Sequence, residues 1–127
     1  MKTYKNLNYI IYPHLNLGSF CGYVKLPKGH SLEKLFEKRK AFNRKMEVGY
    51  NNMDIDCHGG LSFSRKVKKN DKYPQKFTEG YWIGWDYLHY GDYTNCGLGL
   101  VDKGKKWTEK EIEKECKNVI RQILKIK

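Results

Sequence analysis

Apolar and polar residues alternate from Gly18 to Leu26, with Phe20, Gly22 and Val24 set against Cys21, Tyr23 and Lys25. A period of two predicts a strand, and Pro27-Lys28-Gly29 supplies the turn that ends it. Ser31 then stands where a helix N-cap would, followed by Leu32, Leu35 and Phe36 at helical spacing. From Glu37 the pattern turns basic and polar, through Arg44-Lys45, either as the wet face of that helix or as a charged loop. Further on, Asp54–His58 and Leu61–Arg65 read as two strands around Gly59-Gly60. That pair suits a two-residue hairpin, and a continuous strand with a glycine bend is the other option. In the first arm Ile55 and Cys57 face one way and Asp54, Asp56 and His58 the other. Residues 66–76 show no period and read as an exposed basic loop. Tyr81–Asp86 reads as a strand, residues 87–99 as irregular, and Leu98, Leu100 and Val101 as one more short strand.

The C-terminus carries the clearest signal. Thr108 and Glu111 form a capping box, and Trp107 and Ile112 occupy the positions of a hydrophobic staple. Ile112, Cys116, Val119, Ile120 and Ile123 then share one helical face. Glutamates 109, 111 and 113 open the helix and Lys125 and Lys127 close it, an order that suits the helix dipole. Together these elements predict an α+β fold: a small, mostly antiparallel sheet with the C-terminal amphipathic helix packed on it.

A chain of 127 residues fits one domain, residues 1–127, with basic inserts near 37–48 and 65–77. The formal net charge is +11, from 25 basic and 14 acidic residues. Such charge favours an anionic partner, whether a nucleotide or nucleic acid. Lysine supplies 21 of the 25 cations, whereas base and phosphate recognition leans on arginine, so solvated lysines with no partner are the plainer alternative. No window is apolar for the ~18 residues of a membrane span, and the N-terminus lacks the apolar core of a signal peptide. A cytoplasmic location without membrane contact is therefore expected. Four cysteines (Cys21, Cys57, Cys96, Cys116) without a Cys-x-x-Cys pair are then expected to be reduced thiols.

Candidate chemistry concentrates in residues 81–93, which hold six aromatics and the series Asp86-x-x-His89-x-x-Asp92. A structural strand needs neither the carboxylates nor the histidine. With the polar face ending at His58, the segment nominates His58, His89, Asp86 and Asp92 as catalytic residues. Two neighbouring histidines can act as a general acid–base pair, one taking a proton from a nucleophile and the other protonating the leaving oxygen, as phosphodiester cleavage requires. A flanking carboxylate would fix a histidine's tautomer. The same four side chains could hold a divalent metal such as Zn²⁺ or Mn²⁺, although their spacing matches no strong motif, so either no cofactor or one metal fits. A histidine bonded to an aspartate that merely pins a turn is the structural alternative. Gly59 and Gly60 would let a phosphate approach backbone N–H groups, or simply make a turn. Tyr81, Ile83 and Trp85 share one strand face and suit the core, which leaves Trp82 beside Asp86 as a ligand contact. Tyr90 is a second stacking residue, and Arg65 with the lysines after it would attract phosphate.

The segments His58-Gly59-Gly60-Leu61-Ser62-Phe63-Ser64 and Trp82-Ile83-Gly84-Trp85-Asp86-x-x-His89-x-Gly91-Asp92 resemble a family of small phage and prophage proteins of unassigned function. Those proteins carry His-Gly-Gly-Leu-Thr-Phe and Trp-Trp-x-Gly-Phe-Asp-x-x-His-x-Gly-Asp segments. Gly22-Tyr23-Val24 and Pro27-x-Gly29-His30 are similar as well. The resemblance covers roughly a third of the chain, and the two linked motifs carry it. The chain departs from the pattern at Tyr81, Ile83, Tyr87 and Leu88, and its lysine-rich inserts are its own. The resemblance implies a phage accessory protein in the cytoplasm of a bacterial host, not a reaction. With the charge and the histidines, it leads to the expectation of a counter-defence homodimer. Such a protein would bind and cleave a phosphodiester nucleotide signal of the cyclic-dinucleotide kind, as a phosphodiesterase. The alternative, left open, is a non-catalytic nucleotide sponge or a nucleic-acid-binding module.

Overall fold

The computed structural model describes residues 1–14, 18–45, 54–89, 92 and 104–126, without the side chains of residues 43 and 44. The predicted strand at 98–101, Tyr90 and Cys96 lie outside these residues. Seven elements follow in chain order: β1 (Lys2–Tyr4), β2 (Leu7–His14), β3 (Ser19–Lys25), α1 (Ser31–Lys45), β4 (Phe63–Val67), β5 (Gly80–Asp86) and α2 (Glu109–Lys125). The strands form one antiparallel sheet in the order β1-β2-β3-β5-β4. The fold is α+β, with α2 against the sheet.

Residue chemistry accounts for the elements. Alternation on β3 pairs Cys21 with Asp86 and Gly22 with Trp85 on β5. A side chain at Gly22 would enter the Trp85 ring, with a Cβ 2.5 Å from Cζ2, so the close approach requires glycine. The α2 capping box is complete: the Glu111 amide donates to Thr108 Oγ1 at 3.2 Å and the Thr108 amide to Glu111 Oε1 at 3.1 Å. Ile112, Cys116, Val119, Ile120 and Ile123 are fully buried. At about 1.5–3 kcal/mol per large apolar side chain, that face supplies on the order of 10 kcal/mol of transfer free energy, opposed by conformational entropy. His30 joins the two helices. Its Nδ1 accepts from the Leu32 amide at 3.1 Å, and its Nε2 donates to the carbonyls of Ile123 in α2 and of Ile126, the C-cap, at 3.1 and 2.9 Å.

One element is new, one expectation is corrected and one open alternative is decided. The N-terminal hairpin of β1 and β2, closed by Lys5 and Asn6 at φ 48° and 68°, had no counterpart in the sequence reading. Residues 54–62 form no hairpin: the Gly60 amide donates to Cys57 O in a tight turn, and β4 pairs with β5 instead. The basic stretch after Glu37 is helical through Lys45. The sheet is also buried on both faces. Val24, Tyr81, Ile83 and Trp85 meet α1, α2 and residues 55–61 on one side. Cys21, Tyr23, Val67 and Trp82 form a second cluster on the other, roofed by Tyr73 and Phe77.

Candidate functional site

The site forms where β5 ends and two loops meet the start of α2. In residues 54–58 the alternation persists without a strand: Ile55 and Cys57 are buried, Asp54 and Asp56 exposed, and His58 half-buried. The backbone then turns at Gly59 and Gly60, both left-handed at φ 70° and 80°. A Cβ on Gly59 would lie 2.1 Å from His89 Nε2, so glycine here makes room for the second histidine. After β5, Asp86 Oδ1 accepts from the Leu88 amide at 3.1 Å, while Oδ2 accepts from Ser62 Oγ at 3.2 Å. That bend delivers His89 beneath Gly59.

Asp92 is the hub. Its carboxylate is 2% exposed yet accepts three hydrogen bonds. Oδ2 takes His58 Nε2 at 2.7 Å and the His89 amide at 3.0 Å, and Oδ1 takes Trp107 Nε1 at 2.8 Å. Burial alone would raise its pKa, but these bonds and the attraction of His58 outweigh it and hold the carboxyl below its ordinary value. Asp92 is therefore a carboxylate at neutral pH and can only accept. His58 must place a proton on Nε2, which leaves Nδ1 as the acceptor nitrogen of the neutral ring. Nδ1 has no hydrogen-bond partner among the described residues. Three rings frame His58: Tyr87 stacks on it at 4.6 Å between centroids and 10° between planes, Trp107 stands edge-on at 4.9 Å, and His89 at 5.7 Å. The His58 amide donates to Glu115 Oε1 at 2.9 Å, tying the loop to α2.

A cleft of about 470 Å³ opens beside His58. Tyr87 and Trp107 form its aromatic side, and Asp56, Glu111, Glu115, Lys114 and Asn118 its polar side. Three carboxylates face one lysine there, the reverse of the balance of the whole chain. Lys105 Nζ sits 3.9 Å above the Trp107 ring and 2.7 Å from Glu111, so this wall of the cleft already holds a cation.

The structure thus brings together His58, His89, Asp86, Asp92, Gly59 and Gly60. His89 Nε2 lies 3.1 Å from Asp86 Oδ1 without the alignment of a hydrogen bond; that nitrogen is enclosed under Gly59. Two nominated ligand contacts are not at the site. Trp82 is fully buried, donates through Nε1 to Thr78 O at 2.7 Å and packs on Phe77, so it presents no face to a ligand. The loop of residues 68–79 covers the sheet face that the strand period left open. Arg65 pairs with Trp82 four residues up β5 from Asp86, about 13 Å along the strand. It donates to Tyr73 OH at 2.8 Å and lines a separate hollow with Lys40 and Lys66. Tyr90 lies outside the described residues. A metal does not fit the four donors: His58 Nε2 is taken by Asp92, and three donors occupy both Asp92 oxygens. Among the described residues no group of three or more His, Cys, Asp or Glu could hold a metal ion.

Trp107 and Glu115 belong to the site beside Tyr87, and the sequence reading assigned neither of those two there. A tryptophan beside a helix start signals only a staple; that its N–H needs a partner was the available clue. No protein-family model, curated protein or solved structure matches the chain.

Proposed function

We propose that His58 and His89 act as a general acid–base pair on the phosphodiester bond of a small nucleotide. The protein would then be a phage-type counter-defence phosphodiesterase acting on a cyclic-dinucleotide-like immune signal in the bacterial cytoplasm, most simply as a homodimer. The observation that carries this reading is the Asp92–His58 pair. An ionised, buried carboxylate fixes the imidazole tautomer and leaves Nδ1 as a base without a partner among the described residues, with a second imidazole 5.7 Å away. Such a pair needs no metal. His58 would take the proton of the attacking hydroxyl or water, and His89 would return one to the leaving oxygen. The three carboxylates of the cleft repel phosphate, so the cleft would take the base or sugar end of the ligand, with the phosphodiester toward the histidines.

A second reading rests on Asp92 itself. Three of its roughly four acceptor directions are used to hold the loop, and among the described residues no serine, threonine or cysteine nucleophile bonds to either histidine. This favours a rigid binding site that sequesters a nucleotide without cleaving it.

One experiment separates them. The protein is incubated with a panel of cyclic dinucleotides, heated to release ligand, and the nucleotides are resolved chromatographically. Linear products formed with turnover support the enzyme; intact ligand recovered after heating supports sequestration; no binding to any member sinks both. If turnover occurs, His58→Ala and His89→Ala should each lower it by roughly 10²–10⁴-fold, and EDTA should leave it unchanged.

A further inference from the structure

The exposed side of α2 carries Lys110, Lys114, Lys117, Arg121 and Lys125. Their spacing of three or four residues places all five within an arc of about 80° and along about 22 Å of the helix. This stripe lies opposite the face formed by Ile112, Cys116, Val119, Ile120 and Ile123. Four of the five are exposed and Lys117 is half-buried. Lys110, Lys114 and Lys125 have no ion-pair partner among the described residues. The neighbouring strand adds to the patch: Tyr4 lies beside the stripe with Lys5, Lys117 and Arg121 at 5.7, 5.4 and 6.0 Å from its ring, and Arg121 donates to its hydroxyl at 3.2 Å. Glu113 reaches into this group, shared between Lys117 at 3.3 Å and Lys2 at 3.4 Å, and Glu111 and Glu115 border Lys114 on the side of the cleft. Like charges gathered this way repel one another unless an anion lies across them.

We infer that this stripe is a docking surface for the phosphate backbone of duplex nucleic acid, separate from the histidine site. The spacing suits it: cations recur every 4.5–6 Å or so along the helix, about one for every one to two phosphates of a strand. Four lysines to one arginine is the chemistry of sequence-independent contact to phosphate, not of base reading. An acidic membrane is the poorer match. The apolar face of α2 is consumed by the core, and Leu124 is its one exposed large apolar residue, so nothing is left to enter a bilayer. A duplex across the stripe would bring nucleic acid past Lys114, which also borders the cleft.

Fluorescence anisotropy with a labelled duplex of about 20 base pairs tests this, across roughly 50–300 mM salt. The logarithm of the binding constant should fall with the logarithm of salt at a slope of about −3 to −4.5, since each phosphate contact contributes about −0.9. Replacing Lys110, Lys117, Arg121 and Lys125 together by glutamine should reduce that slope by about 3 and weaken binding at least thirtyfold near 100 mM salt. Lys114 is kept, because it touches the cleft. Circular dichroism and urea unfolding establish that the variant is folded. Replacing Lys66, Lys68, Lys69 and Lys72 by glutamine removes the same charge elsewhere and should leave binding within about threefold. Equal losses in both variants would reduce the effect to net charge and overturn the proposal. So would an unaltered quadruple variant of α2, a wild-type protein that ignores the duplex, or binding to phosphatidylcholine–phosphatidylserine vesicles in place of it.

Discussion

Replacing Asp92 by asparagine keeps the shape of the hub and removes its charge, with consequences that the geometry bounds. The wild-type carboxylate accepts from His58 Nε2, the His89 amide and Trp107 Nε1. An amide offers one oxygen and one NH₂. If the oxygen faces His58 and His89, the NH₂ meets the Trp107 N–H and strands one donor at a nearly buried position. If it faces Trp107, the NH₂ meets the His89 amide, and His58 can accept only by moving its proton to Nδ1. One or two unpaired donors at about 1–3 kcal/mol each give an expected loss of roughly 2–4 kcal/mol. In the second arrangement the base is also in the wrong tautomer. Urea unfolding followed by tryptophan fluorescence gives the stability. Nitrogen NMR of the histidines gives the tautomer, with the Nε2–H form expected for His58 in the wild type. The pH dependence adds a sign. A depressed carboxyl pKa stabilises the fold in full above the unfolded carboxylate value of about 3.9, and that stabilisation drains away as the pH falls below it toward the folded-state value. The gap between wild type and variant should therefore narrow in acid. A variant within about 0.5 kcal/mol of wild type at neutral pH, or a wild-type His58 protonated on Nδ1 alone, would refute the account.

Gly59→Ala should destabilise the fold by about 1–3 kcal/mol and displace the His89 ring, because the added carbon meets Nε2 and the backbone is left-handed; unchanged His89 NMR shifts would contradict this. Trp82→Ala should cost about 3–5 kcal/mol in urea unfolding while leaving ligand binding by the folded fraction intact, and selective loss of binding would restore Trp82 to the site. Burial raises the thiol pKa of Cys57 and Cys116 to about 12 and of Cys21 to about 11. These three should resist thiol reagents at pH 8 until urea is added. Their contribution to stability, complete below the unfolded thiol value of about 8.5, should decline as pH rises above it; rapid native labelling of all three would be inconsistent.

What the sequence disclosed followed periodicity and caps. α2 could be read outright because its apolar face, box and charges agree. β3 was legible because apolar and polar residues alternate along its seven residues, and β5 because an aromatic and β-branched run of that length suits a strand. The N-terminal hairpin was not. Ile10 and Tyr12 are apolar on the face opposite Leu7 and Tyr9, which blurs the period, and its turn uses lysine where glycine or asparagine would announce it. Trp82 was misplaced because a strand's period assigns a residue to a face but cannot tell whether a distant loop covers that face. The two histidines were nominated because a short-range pattern flagged them. The Asp92–Trp107 bond spans 15 residues of sequence with no periodic trace and is visible only in three dimensions.

The strand order carries a consequence for biosynthesis. β5 lies between β3 and β4, yet it is the last of the described strands to leave the ribosome. Until residue 86 has emerged, the neighbouring ladders of β3 and β4 lack their shared partner and present unsatisfied edges. During that interval the nascent chain is open to pairing with any extended segment at hand. Insertion of β5 closes both edges at once, and the same event carries Asp86 and His89 toward His58. Translational pauses before residue 86 would lengthen the vulnerable interval, and a chain truncated there would leave both edges open for aggregation.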